Sequence, residues 1–245
     1  MTAGRGKGSK GGVRLSGRGV ATRVKTAKKR KTSSTLWLKR QLNDPYVAEA
    51  ARRGYRSRAA FKLIELDDRF HFLKPRSRVV DLGAAPGGWT QVAVERVKAD
   101  KGEALVAALD ICEMEPVSGA KIIHCDFLDD QAPALIREAL GGPADTVLCD
   151  MASPATGHTA TDHLRIMGLC EAAFAFACEI LAADGAFVCK VLQGGTEQQL
   201  LADINRLFKN VRHAKPPASR SDSAEMYLVA MGFKGECASR SGLEL

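Results

Sequence analysis

The chain has 245 residues, of which 45% are hydrophobic and 26% charged, with a formal net charge of +8. Those proportions belong to a globular protein and exclude wholesale disorder or a fibrous repeat. The charge is uneven: residues 1–35 carry eleven Lys/Arg and no acid, whereas the other 210 carry 25 basic and 28 acidic side chains. A disordered, basic, Gly-rich arm over 1–35 and a single folded domain over 36–245 are the expected organisation. The seven cysteines are odd in number and include no C-x-x-C pair, which argues against a disulfide framework or zinc ribbon. His124-Cys125-Asp126 has no second cluster at ligand spacing, so no metal is expected. The longest apolar run, Ala172 to Ala183, is broken by Glu179 and ends at Asp184-Gly185, too short to span a bilayer. The basic N-terminus lacks the apolar core of a secretory signal, and seven glycines between Gly4 and Gly19 oppose the amphipathic helix of a transit peptide. A cytoplasmic location without membrane contact is expected.

Ser34-Thr35-Leu36-Trp37-Leu38 opens the ordered chain. Residues 45–70 predict helix, with Val47, Ala50, Ala51, Phe61, Leu63, Ile64 and Leu66 as apolar positions and an interruption near Gly54. From Arg78 the pattern changes. Val79-Val80-Asp81-Leu82-Gly83 reads as a buried strand ending in a Gly-rich turn, and a helix follows over 88–97. Further strands are expected over 104–110, 121–125, 145–149, 185–191 and 226–231, with helices over 135–140, 162–182 and 197–208. This alternation predicts an α/β fold with a mostly parallel, doubly wound sheet and helices on both faces. Such sheets bind ligands outside the carboxyl ends of their strands, at the switch in strand order. The residues to weigh are therefore those just after the strands.

The first turn is Asp81-Leu82-Gly83-Ala84-Ala85-Pro86-Gly87-Gly88-Trp89. Its glycines permit a sharp turn and the approach of a ligand to the backbone. A dinucleotide fingerprint would need glycine where Ala85 stands, and Pro86 removes an N–H that a phosphate cradle would use. A nucleoside pocket fits better than a pyrophosphate site. Asp110, after the second strand, is placed to accept from ribose hydroxyls. Asp126, after the third, is placed to meet the amine of a base. The plain alternative for either is a turn or helix-capping role.

At these residues the sequence resembles the S-adenosyl-L-methionine-dependent methyltransferases, and most closely the FtsJ-type (RlmE) 2′-O-ribose methyltransferases of large-subunit ribosomal RNA. The resemblance lies in Ser57 to Leu63, Val80 to Trp89, Asp126-Phe127, Asp150-Met151-Ala152, Phe187 to Gly194, and Ser219-Arg220 through Glu225-Met226-Tyr227, in order, from about Trp37 to Gly232. It implies the Rossmann-like methyltransferase fold. It implies a catalytic tetrad at Lys62, Asp150, Lys190 and Glu225, and cofactor contacts at Gly87, Trp89, Asp110, Asp126 and Asp150. It further implies S-adenosylmethionine as cofactor and, as target, a uridine 2′-hydroxyl in the A-loop of 23S rRNA within the 50S subunit. The protein is expected to be a monomer. One departure stands out. Proline usually follows Asp-Met-Ala in this family, and Ser153 intervenes here before Pro154.

Methyl transfer to a hydroxyl is a displacement that demands alignment and removal of one proton. A lysine serves as base if burial or a nearby cation lowers its pKa. Lys190, in an otherwise apolar run, is the candidate base, with Lys62 as the candidate neighbouring cation. Asp150 would orient Lys190, and Glu225 would hold the second lysine or the ribose. Without the resemblance, Lys62 reads as an exposed helix position. Amino-directed methyltransferases show Asp/Asn-Pro-Pro-aromatic where this chain has Asp150-Met151-Ala152-Ser153-Pro154, and Cys149 reads as core rather than nucleophile. His158 and His163 lie nearby, but the base is already assigned.

Charge by segment points to a polynucleotide partner. Residues 36–78 hold eleven basic and five acidic side chains, 206–220 five basic and none acidic, and 79–205 seven basic and nineteen acidic. Arg52, Arg53, Arg56, Arg58 and Lys62 form one basic stretch; Arg206, Lys209, Arg212, Lys215 and Arg220 form the other. Both adjoin tetrad positions, and a ribose presented from an RNA loop suits them better than a duplex. The alternatives are a tRNA or mRNA-cap 2′-O-methyltransferase and a non-catalytic RNA-binding assembly factor. A nicotinamide dehydrogenase is disfavoured by the turn. Deleting residues 1–35 is predicted to weaken RNA binding and flatten its salt dependence, measured by filter binding across ionic strength, with cofactor affinity intact. An unchanged salt slope would refute a role for the arm.

Overall fold

The computed structural model describes residues 32–99, 105–153, 156–193 and 198–235. Three helices come first: α1 (Thr32–Leu42), α2 (Pro45–Arg53) and α3 (Ala59–Phe70). Then strands and helices alternate as β1 (Val79–Leu82), α4 (Gly88–Val97), β2 (Val106–Asp110), β3 (Ala120–His124), α5 (Ala132–Leu140), β4 (Ala144–Cys149), α6 (Thr159–Ile180), β5 (Leu181–Leu192), α7 (Gln198–Leu207), β6 (Phe208–Ala214) and β7 (Glu225–Phe233).

Local chemistry explains the break in the first helical stretch. Asp44 caps α2 by accepting from the Tyr46 N–H at 3.0 Å, and Pro45 occupies the first turn, where its missing N–H is not needed. Gly54, at φ +78°, ends the helix in the left-handed conformation. The chain then turns through 55–58 into α3.

The seven strands form one sheet in the order β3-β2-β1-β4-β5-β7-β6. All neighbours are parallel except β7, which runs antiparallel to both β5 and β6. The switch in strand order falls between β1 and β4, so their carboxyl ends open on the same crevice. Alternation along the strands sorts the core into two layers. Val80, Leu82, Val147, Cys149, Phe187 and Cys189 pack with α5, α6 and α7. Val79, Leu148, Val188, Tyr227 and Val229 pack with α3 and α4. Cys149, Cys170 and Cys189 are buried thiols of the first layer.

Three features differ from the sequence expectation. Helix α1 starts at Thr32, inside the segment assigned to the arm; residues 1–31 lie outside the described residues. Strand β7 reverses direction within the sheet. Strand β6 was not expected, because Lys209, Asn210, Arg212 and His213 hide the apolar pattern of an exposed edge strand. The expected strand start at Ala104, the loop residue Pro154 and Gly194 lie outside the described residues.

Gly83 has a strict steric reason. At φ +77°, a Cβ there would stand 2.7 Å from the backbone N and Cα of Met151. The first turn thus crosses directly over the chain leaving β4. Gly83→Ala is predicted to destabilise the fold by roughly 2 kcal/mol or more, from left-handed strain plus the clash. Urea unfolding checks this, and a wild-type midpoint would contradict it.

Candidate active site

Three carboxylates stand at neighbouring strand ends. Asp81, on β1, is fully buried, and its Oδ2 accepts from the Thr90 hydroxyl at 2.7 Å. Among the described residues its Oδ1 finds no hydrogen-bond partner. Burial first, then the fields of Asp150 and Asp110, push its pKa up to about 7 against the opposing Thr90 hydrogen bond. Asp110, ending β2, accepts from the Ala85 N–H at 2.9 Å and the Cys112 N–H at 2.7 Å. It therefore fastens the first turn to the loop after β2, and its remaining lone pairs are left for a ligand. Asp126 is exposed and accepts from the Leu128 N–H at 3.0 Å, so it makes the turn contact that was its plain alternative. Ile111 and Leu128 follow β2 and β3 with their side chains exposed, offering apolar walls that the sequence reading missed.

The glycines of the turn face protein rather than open space. A Cβ on Gly88 would clash with Ser57 Oγ, and one on Gly87 would meet Arg56 Nη1 at 2.9 Å and Met114 Sδ at 3.0 Å. Trp89 needs a similar revision. Its side chain is buried, donates its indole N–H to the Ala59 carbonyl at 2.9 Å, and packs on the Tyr227 ring at 5.5 Å between centroids. What Trp89 offers a ligand is its backbone N–H in the first turn of α4, where no carbonyl within the helix serves it.

Lys62, Asp150, Lys190 and Glu225 are brought together by strand register. Lys190 pairs with Tyr227 across β5 and β7, and Leu192 with Glu225. Cys149 pairs with Cys189 across β4 and β5, so Asp150 follows beside Lys190. Lys190 Nζ lies 3.1 Å from Asp150 Oδ1 and donates to the Asp150 carbonyl at 2.5 Å. The Tyr227 hydroxyl donates to the same Oδ1 at 2.9 Å. From α3, Lys62 Nζ reaches both Glu225 oxygens at 2.8 Å, and the Ser219 hydroxyl donates to Oε1 at 2.8 Å. Lys62 is 8% exposed, not the surface lysine that its helix pattern suggests. Tyr227 and Ser219 join the cluster as additions. The period of two from Glu225 along a strand was the available signal for Tyr227.

The electrostatics revise one expectation. Burial opposes the Lys190 ammonium, but Asp150, by charge and hydrogen bond, and then Glu225 outweigh it and hold the pKa above the ordinary lysine value. Lys62 is engaged by Glu225 and does not serve as the cation that lowers Lys190. Glu225 is likewise opposed by burial, yet Lys62, Ser219 and Lys190 keep it below the usual range.

The basic stretches are also more engaged than charge counting suggests. Arg52 and Arg53 bind Glu49, Arg58 and Arg220 share Asp44, and Lys209 meets Asp184. Arg52 stays 69% exposed at its side chain. Among the described residues no group of His, Cys, Asp and Glu could hold a metal ion, and no helix is long and apolar enough to cross a membrane.

Comparison with known proteins adds to this geometry. The family model described as FtsJ-like methyltransferase matches residues 55–233. Ribosomal RNA large subunit methyltransferase E of Paramagnetospirillum magneticum is 62% identical over 236 residues, covering 96% of each chain. The protein of the same name from Parvibaculum lavamentivorans is 60% identical over 94% of this chain and 92% of its own. A solved structure from Plasmodium falciparum, described as a ribosomal RNA methyltransferase, superposes with a TM-score of 0.65 at 30% identity, covering 74% of this chain and all of its own.

Asp81 yields a test that needs no substrate. Its folded pKa, about 7, lies above the ordinary carboxyl value of 3.8. The folded state therefore holds the proton more tightly, and stability from this group falls as pH rises through that window. Asp81→Asn removes the penalty. Its melting temperature relative to wild type is predicted to climb between pH 5 and pH 8. A constant difference across that range would show that Asp81 ionises freely.

Proposed function

Because the chain belongs to the FtsJ-like methyltransferase family, we propose that it methylates a ribose 2′-hydroxyl of large-subunit ribosomal RNA, using S-adenosylmethionine. The observation that carries this reading is the pair of buried ion pairs, Lys190 with Asp150 and Lys62 with Glu225, packed on one edge of three strands. The relatives' names support ribosomal RNA as the substrate. The family resemblance supports a uridine of the A-loop.

The strand ends fit the cofactor. In this reading Asp110 would accept from the ribose hydroxyls, Ile111 and Leu128 would flank an adenine, and Asp126 would meet its amine. The first-turn N–H groups of Gly88 and Trp89 suit a carboxylate. Asp110, without a lysine or arginine partner among the described ion pairs, suits a cationic ligand, and the unpartnered Oδ1 of Asp81 suits a donor from it. When bound, the cofactor supplies an activated sulfonium methyl.

The chain's own residues then orient the acceptor and move one proton. Lys190 Nζ takes the proton of the 2′-hydroxyl as the oxygen attacks. Asp150 aims Nζ, and Tyr227, from β7, holds the Asp150 carboxylate. Lys62 and Glu225 form a buried polar edge that the ribose meets, held by Ser219. Since Lys190 starts protonated, a positively charged ligand beside it must shift it toward the neutral amine. Turnover should accordingly rise with pH across the neutral range.

Lys190→Arg keeps the charge and the partner Asp150 but cannot give up its proton. With labelled S-adenosylmethionine and undermodified large subunits, this variant is predicted to lose about 10²–10⁴ in turnover while binding cofactor and RNA. Ribose methylation within a few-fold of wild type would sink the assigned base. Transfer by wild type to no RNA at all would favour an assembly role.

A further inference from the structure

Arg56 lies in the short connection between α2 and α3, six residues before Lys62, yet its side chain reaches the opposite wall of the crevice. Its Nη1 donates to the Pro86 carbonyl at 3.3 Å and the Glu115 carbonyl at 2.6 Å, and its Nη2 to the Pro116 carbonyl at 2.7 Å. Pro86 belongs to the turn after β1. Glu115 and Pro116 belong to the loop between β2 and β3, which starts at Ile111. The Arg56 backbone N–H donates to Gln91 Oε1 at 2.9 Å, and Gln91 Nε2 donates to the Gly54 carbonyl at 3.0 Å. The connection is thereby fastened to α4 as well.

Gly87 completes the arrangement. Its φ of +106° favours glycine, and a Cβ there would press on the flexible ends of Arg56 and Met114. The glycine that a ligand-approach reading assigns to the cofactor is thus also the one over which the guanidinium passes. Carbonyls from two separate loops, converging on one point, repel one another unless donors stand between them. A planar guanidinium carries five N–H groups and serves three such acceptors at once, whereas an ammonium does not reproduce that fork.

We propose that Arg56 is a positioning residue for the cofactor. It clamps the β1 turn to the β2–β3 loop and so presets the width of the pocket between them without touching the ligand itself. This rests on the cofactor reading above. It also accounts for an arginine of the basic stretch whose guanidinium is taken up by loop carbonyls. Asp110 makes the companion link from below, through the Ala85 and Cys112 N–H groups. The two links together hold both walls of one pocket.

The test compares Arg56→Lys and Arg56→Ala with wild type, first without ligand. Hydrogen exchange at the amides of 111–119 and 84–88 is expected to speed up in both variants. The dissociation constant for S-adenosylhomocysteine, by calorimetry, is expected to rise about tenfold or more in Arg56→Ala and several-fold in Arg56→Lys, as a lost preorganisation should. The KM for S-adenosylmethionine should rise alike, with kcat at saturation within about threefold of wild type. Arg56→Lys keeps the charge, so it serves even if Arg56→Ala fails to fold. Wild-type exchange and wild-type ligand affinity in Arg56→Lys, with RNA affinity lowered in Arg56→Ala, would overturn the proposal and make Arg56 a phosphate contact. A wild-type protein that binds no S-adenosylhomocysteine would instead bring down the cofactor reading, and this proposal with it.

Discussion

Side chains on a strand alternate between the two faces of a sheet, and everything at the candidate site depends on one choice of face. Asp81, Asp150, Lys190 and Tyr227 share the parity of Val79, Leu148, Val188 and Val229, which pack against α3 and α4. Their neighbours Leu82, Cys149 and Cys189 carry the opposite parity and fill the layer under α6. A register slip of one residue would bury the charged set in the layer under α6 and move the thiols to the face of α3 and α4. The apolar alternation that builds the core is thus the same constraint that gathers the polar groups.

Gathering them creates an electrostatic problem that the structure resolves in two ways. At the ends of β4, β5 and β7, each buried cation is matched to an acid: Lys190 to Asp150, and Lys62, reaching in from α3, to Glu225. On β1 and β2, Asp81 and Asp110 face each other's fields without a lysine or arginine partner among the described ion pairs, and Asp81 answers by holding a proton more tightly. Matched pairs define a rigid polar edge. The unmatched acids define a place where positive charge is welcome. Trp89 links the two regions, since its ring packs on Tyr227 and its N–H binds α3 just ahead of Lys62.

Much of this was legible in the chain. Apolar runs ending at Asp81, Asp110, Cys149 and Lys190 placed the strands, and Gly54 and Gly88 placed helix boundaries within a residue or two. The strand-end rule pointed to the end of the sheet where Lys62, Asp150, Lys190 and Glu225 come together. Strand β6 was not legible, because an edge strand with polar residues on both faces has no alternation to read. The fate of the arginines was not legible either. Arg52, Arg56 and Arg58 look alike in a charge count. One is exposed, one clamps three carbonyls and one is held by Asp44 and the Ala218 carbonyl. Composition counts charges, whereas only packing decides which of them meet solvent.

The sequence by itself determined the alternation of elements, the turn chemistry at Gly83 to Gly88 and the four positions whose residue types match the family tetrad. These are local or motif properties, carried by neighbours along the chain. Only the tertiary structure decided that Lys62 is buried against Glu225, that Lys190 is held protonated by acids rather than relieved by a cation, that Trp89 is core, and that Arg56 braces the pocket. Each of those depends on contacts between segments from 30 to 163 positions apart, such as Lys62 with Glu225. Solvation and Coulomb energy are set by what lies nearby in space, and no pattern of residues along the chain specifies that distance.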